Sequence, residues 1–168
     1  MRREIAALLI ICSCALAVAS AAGAHALAPA KAKITSVSFK NVNGTAPQIT
    51  IRGSGFGSRP AHDPSFPPSP PQGNTPPYGC SETGNVGWNY GTQLWISITS
   101  TTHSAWSAGR YRPALNELDC IGLTILRYTG NQVVYRLGAG YHEGGYKLAA
   151  GDRYVVSVKG TRNRGVVG

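Results

Sequence analysis

What most limits how this chain can fold is a series of short segments in which apolar and polar residues alternate. In ITSVSF (34–39), Val37 and Phe39 fall on one face and Ser36 and Ser38 on the other. QITIRG (48–53) sets Ile49 and Ile51 against Gln48, Thr50 and Arg52. QLWISIT (93–99) turns Leu94, Ile96 and Ile98 inward and Trp95, Ser97 and Thr99 outward. CIGLTIL (120–126) aligns Ile121, Leu123 and Ile125; NQVVYRL (131–137) aligns Val133, Tyr135 and Leu137; DRYVVSVKG (152–160) aligns Tyr154, Val156 and Val158. A period of two with β-branched residues builds strands, because successive side chains point to opposite faces. Turn residues separate the runs: Asn41-Val42-Asn43-Gly44 after the first, and Thr129-Gly130 as a hairpin signal. No stretch after residue 28 carries a convincing helical period. The expectation is an all-β domain, a β-sandwich of short strands.

The second of these strands runs into glycines: ITIRGSGFGSRP, residues 49–60. Gly53, Gly55 and Gly57 bracket Phe56. A phosphate-binding loop would open a helix whose N-terminus faces the phosphate. Here Ser58-Arg59-Pro60 and a proline tract follow, and no Gly-Lys-Ser/Thr is present. The glycines are instead expected to permit positive φ or close backbone approach at a sharp corner, with Phe56 swinging back to plug the end of the sandwich.

These residues also carry a resemblance. ITSVSF, a short turn and QITIRGSGFG, with LTILRYTGNQVVYRL and GDRYVVSVKG further on, resemble an IPT/TIG domain, which has an immunoglobulin-like fold. Gly53, Ser54, Gly55, Phe56 and Gly57 match the glycine-rich corner of that family. Thr129 to Val134 match its polar turn and following strand, and Val156 and Val158 its closing strand. The likeness covers about residues 33–57 and 121–160. The middle, 58–120, is longer than a minimal domain of the family needs. The resemblance implies an immunoglobulin-like β-sandwich over 34–160 with a long Pro/Trp-rich insert, used as a non-catalytic module at cell surfaces or outside the cell. It names no single ligand and transfers no binding residues.

The N-terminus reads as a signal peptide over residues 1–26. Arg2 and Arg3 precede an apolar run from Ile5 to Val18, and small residues follow, with cleavage placed after Ala24 or Ala26. The run is short of the roughly 20 residues a membrane span needs. An uncleaved anchor is the other reading. Residues 27–33 read as a tail, and 161–168 as a second tail after the last strand. The expected location is secreted, extracellular or cell-surface, with no stable membrane insertion after cleavage. Cys12 and Cys14 leave with the signal, so Cys80 and Cys120 remain. A single disulfide between them would close a loop of about 40 residues and stabilise the fold by roughly 4 kcal/mol on a chain-entropy account. Two free thiols are the alternative.

Between the halves of the domain the composition changes abruptly. Residues 58–79 hold eight of the chain's eleven prolines and are expected to form an extended, partly polyproline-II loop, because proline cannot donate to a ladder. Residues 80–120 are aromatic-rich. All three tryptophans, Trp88, Trp95 and Trp106, lie there with Tyr90 and Tyr111, among glycines, amides and hydroxyls. If exposed, such rings would stack on sugar rings or a proline-rich peptide while the polar neighbours supply hydrogen bonds. The opposing reading packs them against the sandwich end or under the proline tract, since tryptophan is usually largely buried.

The formal net charge is +9, and the cations are scattered with no continuous basic run. Solubility is the plain explanation; the second is loose attraction to anionic surfaces, and no nucleic-acid partner is expected. No nucleophile elbow, zinc-protease motif or Cys-His signature occurs. Glu117 and Asp119 are two apart, His142-Glu143 sits among glycines, and His62-Asp63 lies in the proline tract. None makes a recognisable catalytic constellation, so no enzyme activity, metal or cofactor is expected. Asn43-Gly44-Thr45 is a formal glycosylation sequon. The expected function is a non-enzymatic binding or adhesion module for polysaccharide. The alternative is a structural or protein-interaction domain that meets another extracellular protein.

Overall fold

The computed structural model describes residues 31–63, 87–110, 121–143 and 145–168. The signal peptide, most of the proline tract, Cys80, Cys120 and Tyr111 lie outside the described residues.

Eight strands and one short helix follow in order: β1 Lys33–Lys40, β2 Gln48–Ser54, β3 Leu94–Thr99, β4 Trp106–Ala108, β5 Leu123–Tyr128, β6 Gln132–Leu137, α1 Ala139–Glu143, β7 Arg153–Val158 and β8 Thr161–Val166. They form two antiparallel four-stranded sheets, ordered β1-β2-β6-β5 and β4-β3-β7-β8. The inward residues of both sheets join one buried cluster. Ile49, Ile51, Leu123, Val133 and Tyr135 come from the first sheet, and Leu94, Ile96, Ile98, Val156 and Val158 from the second. This all-β arrangement is compatible with a β-sandwich, and the inward faces are those the alternation dictates.

The glycine corner behaves as the sequence suggests. Gly55 and Gly57 have φ of 70° and 63°, in the left-handed region that favours glycine. Gly53 serves close approach instead. A Cβ there would overlap the Lys33 carbonyl oxygen and lie 2.7 Å from the end of the Phe56 ring. Phe56 is completely buried. Its N–H donates to the Gly130 carbonyl at 3.0 Å, and the Gly53 N–H donates to the Asn131 carbonyl at 2.9 Å. The Tyr128 hydroxyl donates to the Phe56 carbonyl at 3.0 Å. Burial pushes the Tyr128 phenol up to about 12, which keeps it a donor through the physiological range. The corner is thus clasped by the β5–β6 turn. That turn is itself closed by Thr129, whose N–H donates to the Gln132 carbonyl at 2.8 Å and whose hydroxyl accepts the Gln132 N–H at 3.0 Å.

Three elements depart from expectation. Residues 161–166, read as tail, form β8. They follow a two-residue turn at Lys159-Gly160, where φ is 51° and 79°, the signature of a type I′ hairpin. Its inward residues are Thr161, Asn163 and Gly165, so no apolar alternation marks it. It is held by the ladder to β7 and by the Tyr154 hydroxyl donating to Asn163 Oδ1 at 3.2 Å. The aromatic-rich stretch, read as an insert carrying one strand, supplies both β3, interior to the second sheet, and the three-residue β4. The helix α1 is a single short turn, and it follows β6 through Gly138.

The clasp sets an order for substitutions at the corner. Gly53→Ala is expected to cost about 1–3 kcal/mol through overpacking against backbone. Gly57→Ala meets nothing within 4 Å and should cost only the left-handed strain, about 1–2 kcal/mol. Chemical denaturation of both variants checks the ranking; a Gly57 variant weaker than the Gly53 variant contradicts it. Tyr135 offers a second test. Its ring fills the core, but its buried hydroxyl has no hydrogen-bond partner among the described residues, and burial drives its pKa far above the ordinary phenol value. Tyr135→Phe should leave stability unchanged or raise it by about 1 kcal/mol, as read from the denaturation midpoint.

Candidate functional site

Of the aromatics singled out in the sequence, the four among the described residues do not form one exposed platform. Trp88 is 37% exposed, whereas Tyr90, Trp95 and Trp106 are 3%, 4% and 3% exposed. Each buried ring has a local cause. Trp106 lies opposite Ile98 in the β3–β4 ladder and so points into the core, where its indole N–H donates to the Lys147 carbonyl at 2.6 Å. Tyr90 joins the core, its N–H donating to the Gly109 carbonyl at 2.7 Å, and Arg59 reaches its hydroxyl at 3.3 Å. Trp95 does lie on the outer face of β3, but arginines cover it. The Arg110 guanidinium stands 3.7 Å above the ring centroid, and that of Arg162 5.4 Å from it. Trp88 remains accessible at one edge, with the His62 ring 4.4 Å away and tilted by 30°.

Burial of Trp106 nonetheless helps shape a concave site. Its ring meets Tyr141 edge-on at 5.4 Å and Tyr146 at 6.3 Å. Those tyrosines, with His142, Gly145 and Lys147, form one wall of a cleft of about 510 Å³; Asn43, Gly44 and Thr45 form the other. Two turns position these groups. Asn41 and Asn43 adopt φ of 55° and 66°, and the Asn43 N–H donates to the Leu148 carbonyl at 2.8 Å, tying the β1–β2 turn to the opposite wall. After α1, Gly145 at φ 66° reverses the chain, and the Tyr146 N–H returns to the Tyr141 carbonyl at 3.2 Å. Burial raises the Tyr141 pKa, so the phenol stays neutral. The cleft therefore offers an amide, a hydroxyl, an imidazole and an ammonium around a half-buried aromatic ring.

Sequence reasoning named Asn43 as a turn residue and, with Thr45, as part of a sequon, and named His142 only beside Glu143 among glycines. Tyr146 and Lys147 were missed. The spacing of Tyr141 and Tyr146 around glycines was the available signal.

Behind this cleft sits a buried acid. Asp152 Oδ2 lies 3.0 Å from His103 Nε2 and accepts the Ala149 N–H at 2.7 Å. Burial alone would push its carboxyl up. The hydrogen bonds from Ala149, Ser100 and His103, with the charge of His103, outweigh that and hold it below the ordinary carboxylate value. His103 Nδ1 faces the Ser104 carbonyl at 3.0 Å, so both ring nitrogens are engaged. The pair staples the loop after β3 to the turn before β7 and leaves no ring nitrogen to act as a base on a nucleophile. Among the described residues, no group of three His, Cys, Asp or Glu side chains could hold a metal ion.

Compared with known proteins, the chain matches no family model, no curated protein and no solved structure.

The depressed carboxyl of Asp152 fixes the sign of an acid response. Its contribution is present above the unfolded carboxylate pKa of about 3.9 and is lost as pH falls below it. Asp152→Asn should cost about 2 kcal/mol at neutral pH. The gap to the parent protein should narrow below about pH 4. Melting both proteins from pH 7 to 2 checks this; a gap that is constant with pH refutes it.

Proposed function

We propose that the chain is a secreted or cell-surface, non-enzymatic binding module of the IPT/TIG kind, and that its ligand is a polysaccharide held in the cleft between the β1–β2 turn and the 141–147 segment. Two lines support the fold part of this reading. Lettered in chain order with β4 as C′, the sheets run A-B-E-D and C′-C-F-G, the order of an immunoglobulin-like sandwich. The Gly53–Gly57 corner carries the resemblance to the family, and the signal-like N-terminus supports export.

The observation that carries the ligand class is the cleft itself. A sugar presents an apolar C–H face and a rim of hydroxyls. Tyr146, backed by Trp106, suits the first, and Asn43, Thr45, His142 and Lys147 suit the second. Loops at the end of a sandwich are free to vary without disturbing the core, which favours binding there.

Trp106 lies directly behind the cleft and gives an intrinsic reporter. Titrating the mature protein with soluble neutral and acidic polysaccharides should produce a saturable change in tryptophan fluorescence. The double variant His142→Ala/Lys147→Ala alters two exposed side chains and should weaken it at least about tenfold, equivalent to about 1.4 kcal/mol. A flat response to every polysaccharide, or one indifferent to the double variant, defeats this reading. It would favour a structural or protein-interaction domain of the cell envelope.

A further inference from the structure

The outer face of the second sheet carries a row of arginines that the cleft does not use. Register places them. Trp95 lies beside Ser157 and Ser157 beside Arg162; Ser97 lies beside Val155 and Val155 beside Arg164; Thr99 lies beside Arg153 and Arg153 beside Val166. Arg153, Arg162 and Arg164 are therefore on one face, at the edge formed by β7 and β8, and all three are exposed. Residues two apart on a strand are about 7 Å apart, and diagonal cross-strand neighbours such as Arg153 and Arg164 about 7–8 Å. Thr99, Arg153, Val155, Arg164 and Val166 line a shallow groove of about 480 Å³ on this face. Among the described residues, no carboxylate forms an ion pair within 4.0 Å with any of these three arginines.

We infer that this groove is a binding surface for an acidic polysaccharide, gripped through its carboxylate or sulfate groups by Arg153 and Arg164. The planar guanidinium fork matches such groups with two parallel hydrogen bonds, which a lysine cannot do. Arg162 is partly oriented by its position against Trp95, which lowers the entropy lost when it engages an anion. The Thr99 hydroxyl and the apolar surface of Val155 and of Val166, which is 60% exposed, suit the uncharged parts of a sugar chain. Single-stranded nucleic acid fits less well. It requires aromatic rings for its bases, and Trp95, the aromatic side chain placed outward on β3, is covered. The inference rests on the binding-module reading for the type of polymer, but it uses a surface separate from the cleft.

The test measures retention of the mature protein on immobilised polygalacturonate and on dextran sulfate, with neutral dextran as control, at low and moderate salt. Arg153→Gln/Arg164→Gln is compared with Lys40→Gln/Arg136→Gln, a pair of equal charge change exposed on the first sheet. The expected result is binding to an acidic polymer and not to dextran, weakened at least about tenfold by the Arg153/Arg164 pair. The Lys40/Arg136 pair should change it less than about threefold. Equal loss in both pairs would mean that net charge alone attracts the polymer, and would overturn the inference. So would retention on neither acidic polymer, or tighter binding to an oligothymidylate or to anionic phospholipid vesicles. Loss through the arginine pair with no effect of His142→Ala/Lys147→Ala would separate this groove from the cleft. The opposite pattern would leave the cleft standing and refute the groove.

Discussion

The clasp between the Gly53–Gly57 corner and the β5–β6 turn is the contact on which the first sheet depends. Hydrogen bonds from Gly53 and Phe56 to the turn carry the pairing of β2 and β6 beyond the end of their ladder. They also lock Phe56 into the end of the core. A completely buried phenylalanine is worth several kcal/mol against alanine, about 3–5 in measured cores. That gain is available only because Gly53 has no Cβ to collide with the Lys33 carbonyl and the Phe56 ring. The corner therefore ties β1, β2, β5 and β6 together at one end of their ladders, and the glycines are there for geometry and not for flexibility.

The second sheet is organised differently. Its inner face is apolar, and its outer face carries Trp95 under Arg110, with Arg110 also donating to the Ser97 hydroxyl at 3.3 Å. A tryptophan on an outer face would otherwise leave a large apolar ring in water. Covering it with guanidinium groups keeps the ring dry and the charge hydrated at its edges. The two sheets meet at their margins as well as through the core. Phe39 of β1 packs on Tyr154 of β7 with centroids 5.1 Å apart, and the Thr161 hydroxyl donates to the Ala32 carbonyl at 2.9 Å.

The strands with an apolar inner face were legible because burial on one side imposes a period of two. Ile49, Ile51, Val133, Tyr135, Val156 and Val158 all face the core as their spacing demands. β8 was not legible for the complementary reason. Its inward positions are Thr161, Asn163 and Gly165, and Gly165 has no side chain because the Tyr154 hydroxyl and ring occupy that space, 2.7 Å and 2.9 Å from where a Cβ would be. Such a strand is specified by its partner's side chain and by the Lys159-Gly160 turn, neither of which leaves an apolar pattern. β4 was too short to read. The cover over Trp95 was not legible, because the alternation assigns a side of the strand but says nothing about what covers that side. Trp95 is outward and yet buried.

The same logic explains why both candidate binding surfaces escaped the sequence. A cleft is made by residues far apart in the chain, here 43–45 and 141–147, brought together by a backbone hydrogen bond from Asn43 to Leu148. Scattered charge looks like solubility until pairing register sorts it. Arg153 and Arg164 are eleven positions apart, yet the β7–β8 hairpin makes them diagonal neighbours on one face. The hairpin thus does two jobs at once: it caps the sheet, and it gathers cations that the chain alone keeps apart. Because β8 contributes little to the apolar core, its outward side chains can change without unfolding the domain. Surface chemistry can vary most freely on an edge strand held by backbone hydrogen bonds, and Arg162 and Arg164 lie on just such a strand, with Arg153 on β7 beside it.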